Sequence, residues 1–371
     1  MSSAEKKTVF VCSNYAWTIV NFRLPLIKRL VNEGYHVVVA TQYDGYEDQI
    51  TAFVDEIRPL FISRKGVNPL VDSITILHLA ILLFKFKPDH LLLFTIKPVI
   101  YGAIAAKLFS IKTVVMITGL GTAFIAEGWI TRLVMRLYRF ALSSVALVFF
   151  QNNDDKDLFL NNHLINQSVW RLTPGSGIDP HQFPYMSLPL NDEITFTLIA
   201  RMLWDKGVGE YVEAAKIIRA KYPNTKFQLL GAVGVENRTA VSDEKMGAWV
   251  DEGFVEYLGE TNDVRPYIEN ASCVVLPSYR EGTARVLLEA ASMGRPIIAS
   301  DVPGCREVVD NGISGLLCRS KDHIDLSDKM EIMINLSFEE RKMMGIKGRE
   351  KVEKYFNQDI VNELYLEAIE K

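Results

Sequence analysis

The chain is poor in cysteine. Cys12, Cys273, Cys305 and Cys318 are the only four in 371 residues. No two of them form a Cys-x-x-Cys pair or stand at metal-ligand spacing, which excludes a cysteine metal site. Cys12 and Cys273 lie inside apolar runs and read as small core residues. Long apolar runs are missing too. The longest, such as 145–150 and 91–94, have strand length rather than transmembrane length. Met1-Ser-Ser-Ala-Glu-Lys-Lys7 lacks the apolar core of a signal peptide, so the sequence predicts a protein kept in the cytoplasm. The formal net charge is only −4, which gives no electrostatic footprint for nucleic acid. The Gly-x-Gly-x-x-Gly of dinucleotide-binding folds is absent, which speaks against a bound NAD.

What is present is an alternation of short buried strands and helices. The length suggests two domains, and an apolar fraction of 49% supplies two cores. The halves differ in charge. Residues 1–185 carry about four more basic than acidic side chains, and the remainder about eight more acidic than basic. In the first half, 8–12, 37–40, 57–62, 90–94, 113–117, 145–151 and 169–172 read as strands. Residues 13–22 read as a loop, and helices are expected over 23–33, 74–87, 98–109 and 129–140. The second half restarts at the strand 196–200 and continues with 226–231, 255–259, 273–277 and 297–300. Such a pattern predicts doubly wound parallel sheets. The segment Thr173-Pro-Gly-Ser-Gly-Ile-Asp-Pro180 has linker chemistry. The boundary is placed near 184–190, giving domains 1–186 and 187–371.

The most informative stretch is Ser278-Tyr-Arg-Glu-Gly-Thr-Ala-Arg-Val-Leu-Leu-Glu289. It links a buried strand to a helix whose apolar positions, Val286, Leu287, Ala290 and Ala291, recur near a 3.6 period. Its loop lies at the carboxyl end of a parallel strand, where open α/β sheets bind ligands. Free N–H groups at a helix start suit an anionic group such as a diphosphate. Glu281 stands on the loop and Glu289 on the helix. A second such loop, Arg201-Met-Leu-Trp-Asp-Lys-Gly207, follows the strand 196–200.

Glu281 and Glu289, with seven residues between them, resemble the E-x7-E signature of family 4 retaining glycosyltransferases. Arg201 and Lys206 resemble the same family's R-x4-K-G segment, and residues 175–179 its interdomain G-x-G-[IV]-D. The resemblance covers essentially the whole chain. It implies a GT-B fold, two Rossmann-like doubly wound domains facing a cleft, with the last helix packing back on the first domain. It implies that Glu281 lies beside the donor sugar and Glu289 on the ribose hydroxyls of the nucleotide. Arg201 and Lys206 would hold the donor diphosphate, helped by Gly282, Thr283 and Ala284, with no metal and no cofactor. Fixed cations there stabilise the charge that grows on the leaving diphosphate. Gly231, in a further Gly-rich turn at the end of a strand, would also contact the donor, and Leu258 lies where the family holds the nucleotide base. Gly119, in Thr118-Gly-Leu-Gly-Thr, corresponds to a turn that faces the donor. Many members carry a His near this turn and this chain does not, which leaves the acceptor-side base open.

The first half offers the acceptor groups. Asn14 and Arg23 follow the first strand; Arg23 fits a phosphate contact and a solvated helix arginine equally well. Arg132, Arg136 and Arg139 fall on one face of the helix 129–140, flanked by Leu133, Val134, Leu137 and Phe140. Together with the apolar helix 74–87 they suit an anionic membrane surface. Asp155-Lys-Asp157 reads as part of a helix cap rather than a metal motif. Within the family, the chain resembles bacterial enzymes that extend undecaprenyl-diphosphate-linked oligosaccharides, including N-acetylgalactosaminyl and galactosyl transferases of the Campylobacter N-glycosylation type. The expectation is transfer of a hexose or N-acetylhexosamine, α-linked GalNAc first, from a UDP-sugar to a polyprenyl-diphosphate-linked saccharide. The enzyme would sit peripherally on the cytoplasmic face of the inner membrane. A different nucleotide sugar, a soluble acceptor, a sugar-nucleotide epimerase and a non-catalytic binding member of the fold are the alternatives.

Overall fold

The computed structural model describes residues 6–63, 68–119, 128–190 and 193–370. They form two compact units, 1–176 with 358–371, and 177–357.

The first unit runs β1 (Thr8–Tyr15), α1 (Ala16–Phe22), α2 (Leu24–Asn32), β2 (His36–Gln42), α3 (Glu47–Thr51), β3 (Glu56–Pro59) and α4 (Pro69–Phe86). It continues with β4 (His90–Phe94), α5 (Ile96–Ala106), a 3₁₀ turn at 107–109, β5 (Lys112–Ile117), α6 (Trp129–Leu142), β6 (Leu147–Phe150), α7 (Asn153–Asn161) and β7 (Trp170–Leu172). The seven strands are parallel in the order β3-β2-β1-β4-β5-β6-β7. The order therefore reverses between β1 and β4, which pair with Val9 opposite His90. Residues 91–94 are buried on both faces, as a central parallel strand requires. Helices α4 to α7 contribute to the core on one face of the sheet. Helices α1 and α2 cover the other face together with the C-terminal helix.

The second unit runs β8 (Ile194–Ile199), α8 (Val208–Lys221), β9 (Thr225–Leu230), α9 (Asp243–Asp251), β10 (Glu256–Tyr257), α10 (Arg265–Asn270) and β11 (Cys273–Leu276). Then come α11 (Arg285–Ser292), β12 (Ile297–Ser300), β13 (Gly315–Cys318), α12 (His323–Asn335) and α13 (Phe338–Tyr355). Its six parallel strands follow the order β10-β9-β8-β11-β12-β13, so this order reverses between β8 and β11. The last helix, α14 (Gln358–Glu370), belongs to the first unit. Its Tyr365 ring lies 4.7 Å from Phe149 and 5.7 Å from Phe94.

Several elements differ from the sequence reading. Residues 13–22 are not a loop: the strand runs to Tyr15 and α1 follows it directly, with Ala16 and Ile19 buried. Helix α10 begins at Arg265, with Pro266 in its first turn. Residues 177–188 are tied to the second unit, ahead of the expected boundary at 184–190. Ile178 N–H donates to the Phe356 carbonyl at 2.8 Å and Met186 N–H to that of Met293 at 3.2 Å. Arg295, fully buried, donates to the carbonyls of Ile268, Met186 and Ser187 at 2.9–3.0 Å. Burial lowers its pKa to about 10, so it stays charged. Finally, α4 has a mean hydropathy of 1.7 over 18 residues and is long and apolar enough to cross a membrane by length and composition. Counting unbroken apolar runs missed it because Asp72, Thr75 and His78 interrupt the pattern.

Candidate active site

The switch point of the second unit is the crevice between the loops that follow β8 and β11, where ligands bind in such sheets. Glycine lets these loops touch. Gly207 has φ +73, and a Cβ there would come within 2.1 Å of the Pro277 carbonyl oxygen. The Tyr279 N–H donates to the Asp205 carbonyl at 2.9 Å, and the Ser278 hydroxyl to the same carbonyl at 3.1 Å. The loop after β12 closes on the other side. Gly304, at φ +82, leaves no room for a Cβ beside Glu281, whose N–H donates to Pro303 at 3.0 Å.

Two opposite charges meet in this frame. The Lys206 ammonium lies 2.5 Å from Oε1 of Glu281, with both side chains less than one-fifth exposed. Arg201 stands exposed at the end of β8 with no carboxylate partner among the described residues. The Thr283 hydroxyl is buried without a hydrogen-bond partner among the described residues. The structure thus brings Arg201, Lys206, Glu281 and Thr283 to the two loops of one crevice, where one cation and one buried hydroxyl have no partner among the described residues. A buried unsatisfied hydroxyl is costly unless a ligand completes it.

Other expected donor contacts are placed differently. Glu289 lies on α11, and Nε of Arg285 donates to its Oε1 at 2.9 Å. Burial pushes its carboxyl pKa up, and Arg285 acts against that rise. Ala284 is 4% exposed and its N–H is taken by the Gly304 carbonyl at 2.9 Å, so its backbone is not offered to a ligand. Gly231 is likewise engaged. Its N–H donates to Gly259 at 2.8 Å and its carbonyl accepts from the Tyr257 hydroxyl at 2.9 Å. A Cβ at Gly231 would come within 1.9 Å of the Ala200 carbonyl, so this glycine is needed for close packing of the β8 loop. Leu258 is half-buried beside it, its N–H on Leu229. Gly282 lies on the loop between Glu281 and Thr283.

In the first unit the structure corrects two arginines. Arg23 is 4% exposed, so it is neither a solvated helix residue nor displayed for a phosphate. Its guanidinium stacks 4.2 Å from the Phe94 ring centre and donates to Sδ of Met116 at 2.9 Å. Arg139 donates to the carbonyls of Asn162 and His163 at 2.8 and 3.1 Å, tying α6 to the end of α7. Arg132 and Arg136 remain exposed. Asn14 lies near the end of β1 at the switch point with its Oδ1 buried and unpartnered among the described residues. Gly119 has φ +119 directly after β5; the remainder of that turn lies outside the described residues. The Asn152 side chain caps α7 by accepting from the Asp155 N–H at 2.8 Å, and its Nδ2 donates to Oδ2 of Asp155 at 3.3 Å.

Sequence reasoning missed Thr95, Tyr279 and Glu210. Thr95 holds φ +67 at the end of β4, a region that strains a β-branched residue. The Tyr279 hydroxyl donates to Oε1 of Glu210 at 2.7 Å, bracing the loop after β11 against the first turn of α8. No spacing signal marks Thr95. The Tyr279–Glu210 pair could have been sought, since both follow loop-bearing strands. Among the described residues no group of three His, Cys, Asp or Glu gathers as a metal site.

A sequence profile for glycosyl transferases group 1 matches residues 187–351, and one for glycosyl transferase 4-like proteins matches 9–152. The chain is 27% identical over 371 residues to the N,N'-diacetylbacillosaminyl-diphospho-undecaprenol alpha-1,3-N-acetylgalactosaminyltransferase of Campylobacter jejuni, covering 95% of this chain and 96% of that one. Sucrose-phosphate synthase from Thermosynechococcus elongatus has a similar fold, with TM-score 0.82, 18% identity and coverage of 98% and 99%. So does HepE of Anabaena, solved with UDP and glucose, with TM-score 0.78, 15% identity and coverage of 98% and 99%. Two parallel doubly wound units of this kind define a GT-B protein. The chain belongs to the family 4 type of glycosyltransferases and is a transferase enzyme.

Proposed function

We propose that this glycosyltransferase moves a hexose or N-acetylhexosamine, α-linked GalNAc first, from a UDP-sugar to an undecaprenyl-diphosphate-linked saccharide, with retention at the anomeric carbon. The observation that carries the reading is the Lys206–Glu281 pair at the switch point, with Arg201 exposed beside the same strand end. The Campylobacter relative's acceptor and sugar, and the UDP bound by HepE, support the choice of substrates.

As the anomeric C–O bond breaks, the electron pair stays on the UDP β-phosphate and negative charge grows there. Lys206 and Arg201 stabilise that charge, and no metal is required for it. Ribose hydroxyls donate to Glu289. With the diphosphate in place, Lys206 is shared between phosphate and Glu281, and Glu281 orients the sugar hydroxyls. The acceptor hydroxyl attacks from the leaving-group side, and its proton passes to the departing phosphate oxygen.

The test is UDP release from UDP-GalNAc, UDP-GlcNAc, UDP-Gal and UDP-Glc, with and without a polyprenyl-diphosphate-linked sugar and in the presence of EDTA. Release with one donor, dependent on acceptor and indifferent to EDTA, is the expected outcome. Release without acceptor indicates epimerase or hydrolase chemistry, and none with any pair overturns the substrate assignment.

A further inference from the structure

The outer face of α4 is apolar along most of its length, interrupted by the exposed Ser73. Leu70, Ile74, Leu77, Ile81 and Phe84 recur at helical spacing, and their exposures run from 53% to 78%. The inner face supplies Leu79, Leu82 and Leu83 to the core of the unit. A helix apolar all round needs apolar surroundings on both sides, and the protein provides only one. The outer patch continues beyond α4. The Phe84 ring lies 6.2 Å from that of Phe109, Leu108 is 71% exposed, and Phe140 is 58% exposed. Single exposed apolar residues are ordinary; a continuous surface of this kind marks an interaction site.

Charge says what covers it. Helices α4, α5 and α6 contain one acidic residue, Asp72, which is buried and held by Lys97 at 3.0 Å. Lys85 and Lys87 at the end of α4, and Arg132 and Arg136 on α6, are exposed and have no carboxylate partner among the described residues. A second copy would bring like charges against these four. An anionic lipid surface complements them while accepting the apolar stripe. Spanning is ruled out by the fold, because α4 is the crossover between parallel β3 and β4 and buries Asp72 and Thr75 against the unit.

We propose that α4, with the turn at 108–109 and Phe140, is the surface on which the first unit lies on an anionic phospholipid bilayer. The apolar stripe sits at the headgroup–acyl boundary, and Lys85, Lys87, Arg132 and Arg136 meet headgroup phosphates. This deepens the proposed function and rests on it only for the biological reason to be there, the lipid-linked acceptor.

The experiment is flotation of the full chain with vesicles of phosphatidylcholine alone or mixed with phosphatidylglycerol, at low and high salt. Binding to the anionic vesicles is expected, about tenfold weaker on phosphatidylcholine or at high salt. The double variant Ile81→Glu/Phe84→Glu should keep its circular dichroism and melting temperature and bind at least tenfold more weakly. Its UDP release with acceptor in detergent should match the parent, while release with acceptor in vesicles falls. A parent chain that fails to float on anionic vesicles overturns the proposal, whatever its activity. So does a double variant that floats equally well, or a parent dimer that the variant turns into a monomer. Flotation without transfer on either acceptor would instead sink the substrate assignment and leave the docking surface standing.

Discussion

The two switch points of the molecule are built on the same topology and finished differently. In the second unit, glycines at 207, 231 and 304 press neighbouring loops together, and opposite charges, Lys206 and Glu281, sit in direct contact. In the first unit, the crevice between β1 and β4 is neutral and loosely tied. Ser13 and Thr18 share a hydrogen bond of 2.7 Å, and the Asn14 N–H reaches the Thr95 hydroxyl at 3.3 Å. The Asn14 side-chain oxygen has no partner among the described residues, and Arg23 has withdrawn over Phe94. An interlocked, charged crevice suits one fixed anionic group. A neutral crevice with amide and hydroxyl groups to offer suits a sugar, whose hydroxyls both donate and accept. The difference favours the second unit for the diphosphate of the proposed donor.

The largest expected effect tests the charges. Lys206→Ala should lower transfer about a thousandfold, ~4 kcal/mol of transition-state stabilisation, with little change in melting temperature. Initial rates at saturating donor measure it; a loss below tenfold would remove Lys206 from the chemistry. The next tests the interlock. Gly207→Ala places a methyl group against the Pro277 carbonyl and adds a positive-φ penalty, so about 3 kcal/mol of stability should be lost. Gly45→Ala in the first unit, at φ +93 with open space around it, should cost only about 1 kcal/mol. Equal denaturation midpoints for the two variants would show that the second crevice is no tighter than its surroundings.

How much of this was legible follows from which signals are local. The alternation of Thr8–Cys12, His90–Phe94 and Cys273–Leu276 with helices is periodic, so the doubly wound class could be read directly. Lys206 and Glu281 were legible because each follows a strand at a loop opening, and strand ends converge at a switch point. The N–H groups of Ala284 and Gly231 are already taken by neighbouring loops, and sequence does not show which backbone N–H groups are engaged in this way. Arg23 was misread for a related reason. Phe94 and Met116, which hold it, are 71 and 93 residues away, and only the folded sheet brings them together. The apolar helix 74–87 was legible as a membrane-facing element, but not which of its residues point outward, because an apolar helix looks the same in sequence whether one face or both are covered.

Thr95 sharpens the comparison from the side of the first unit. Its φ of +67 and ψ of +157 is a conformation that glycine adopts and a β-branched residue resists. Relief of that strain outweighs the greater chain entropy of glycine, so Thr95→Gly should raise stability by about 1 kcal/mol. If the strained hydroxyl is kept for an acceptor, the same change should raise the acceptor KM and leave donor affinity alone. A variant less stable than the parent would show that no strain is stored there.

The smallest effect concerns Glu289. Burial holds its folded-state pKa above the ordinary carboxylate value, with Arg285 as a partial counterweight. A raised folded pKa means stability fully present below the unfolded value and lost as pH rises through the folded one. Glu289→Gln should therefore flatten the fall in melting temperature from acid towards neutral pH. Ribose hydroxyls donate to a carboxylate, so bound UDP favours the ionised form. UDP binding by the parent should release protons in the weakly acid range and tighten as pH rises, whereas the Glu289→Gln variant should do neither. Calorimetry in two buffers of different ionisation enthalpy measures the proton count. Equal release from both proteins would take Glu289 off the ribose and leave it as the partner of Arg285 alone.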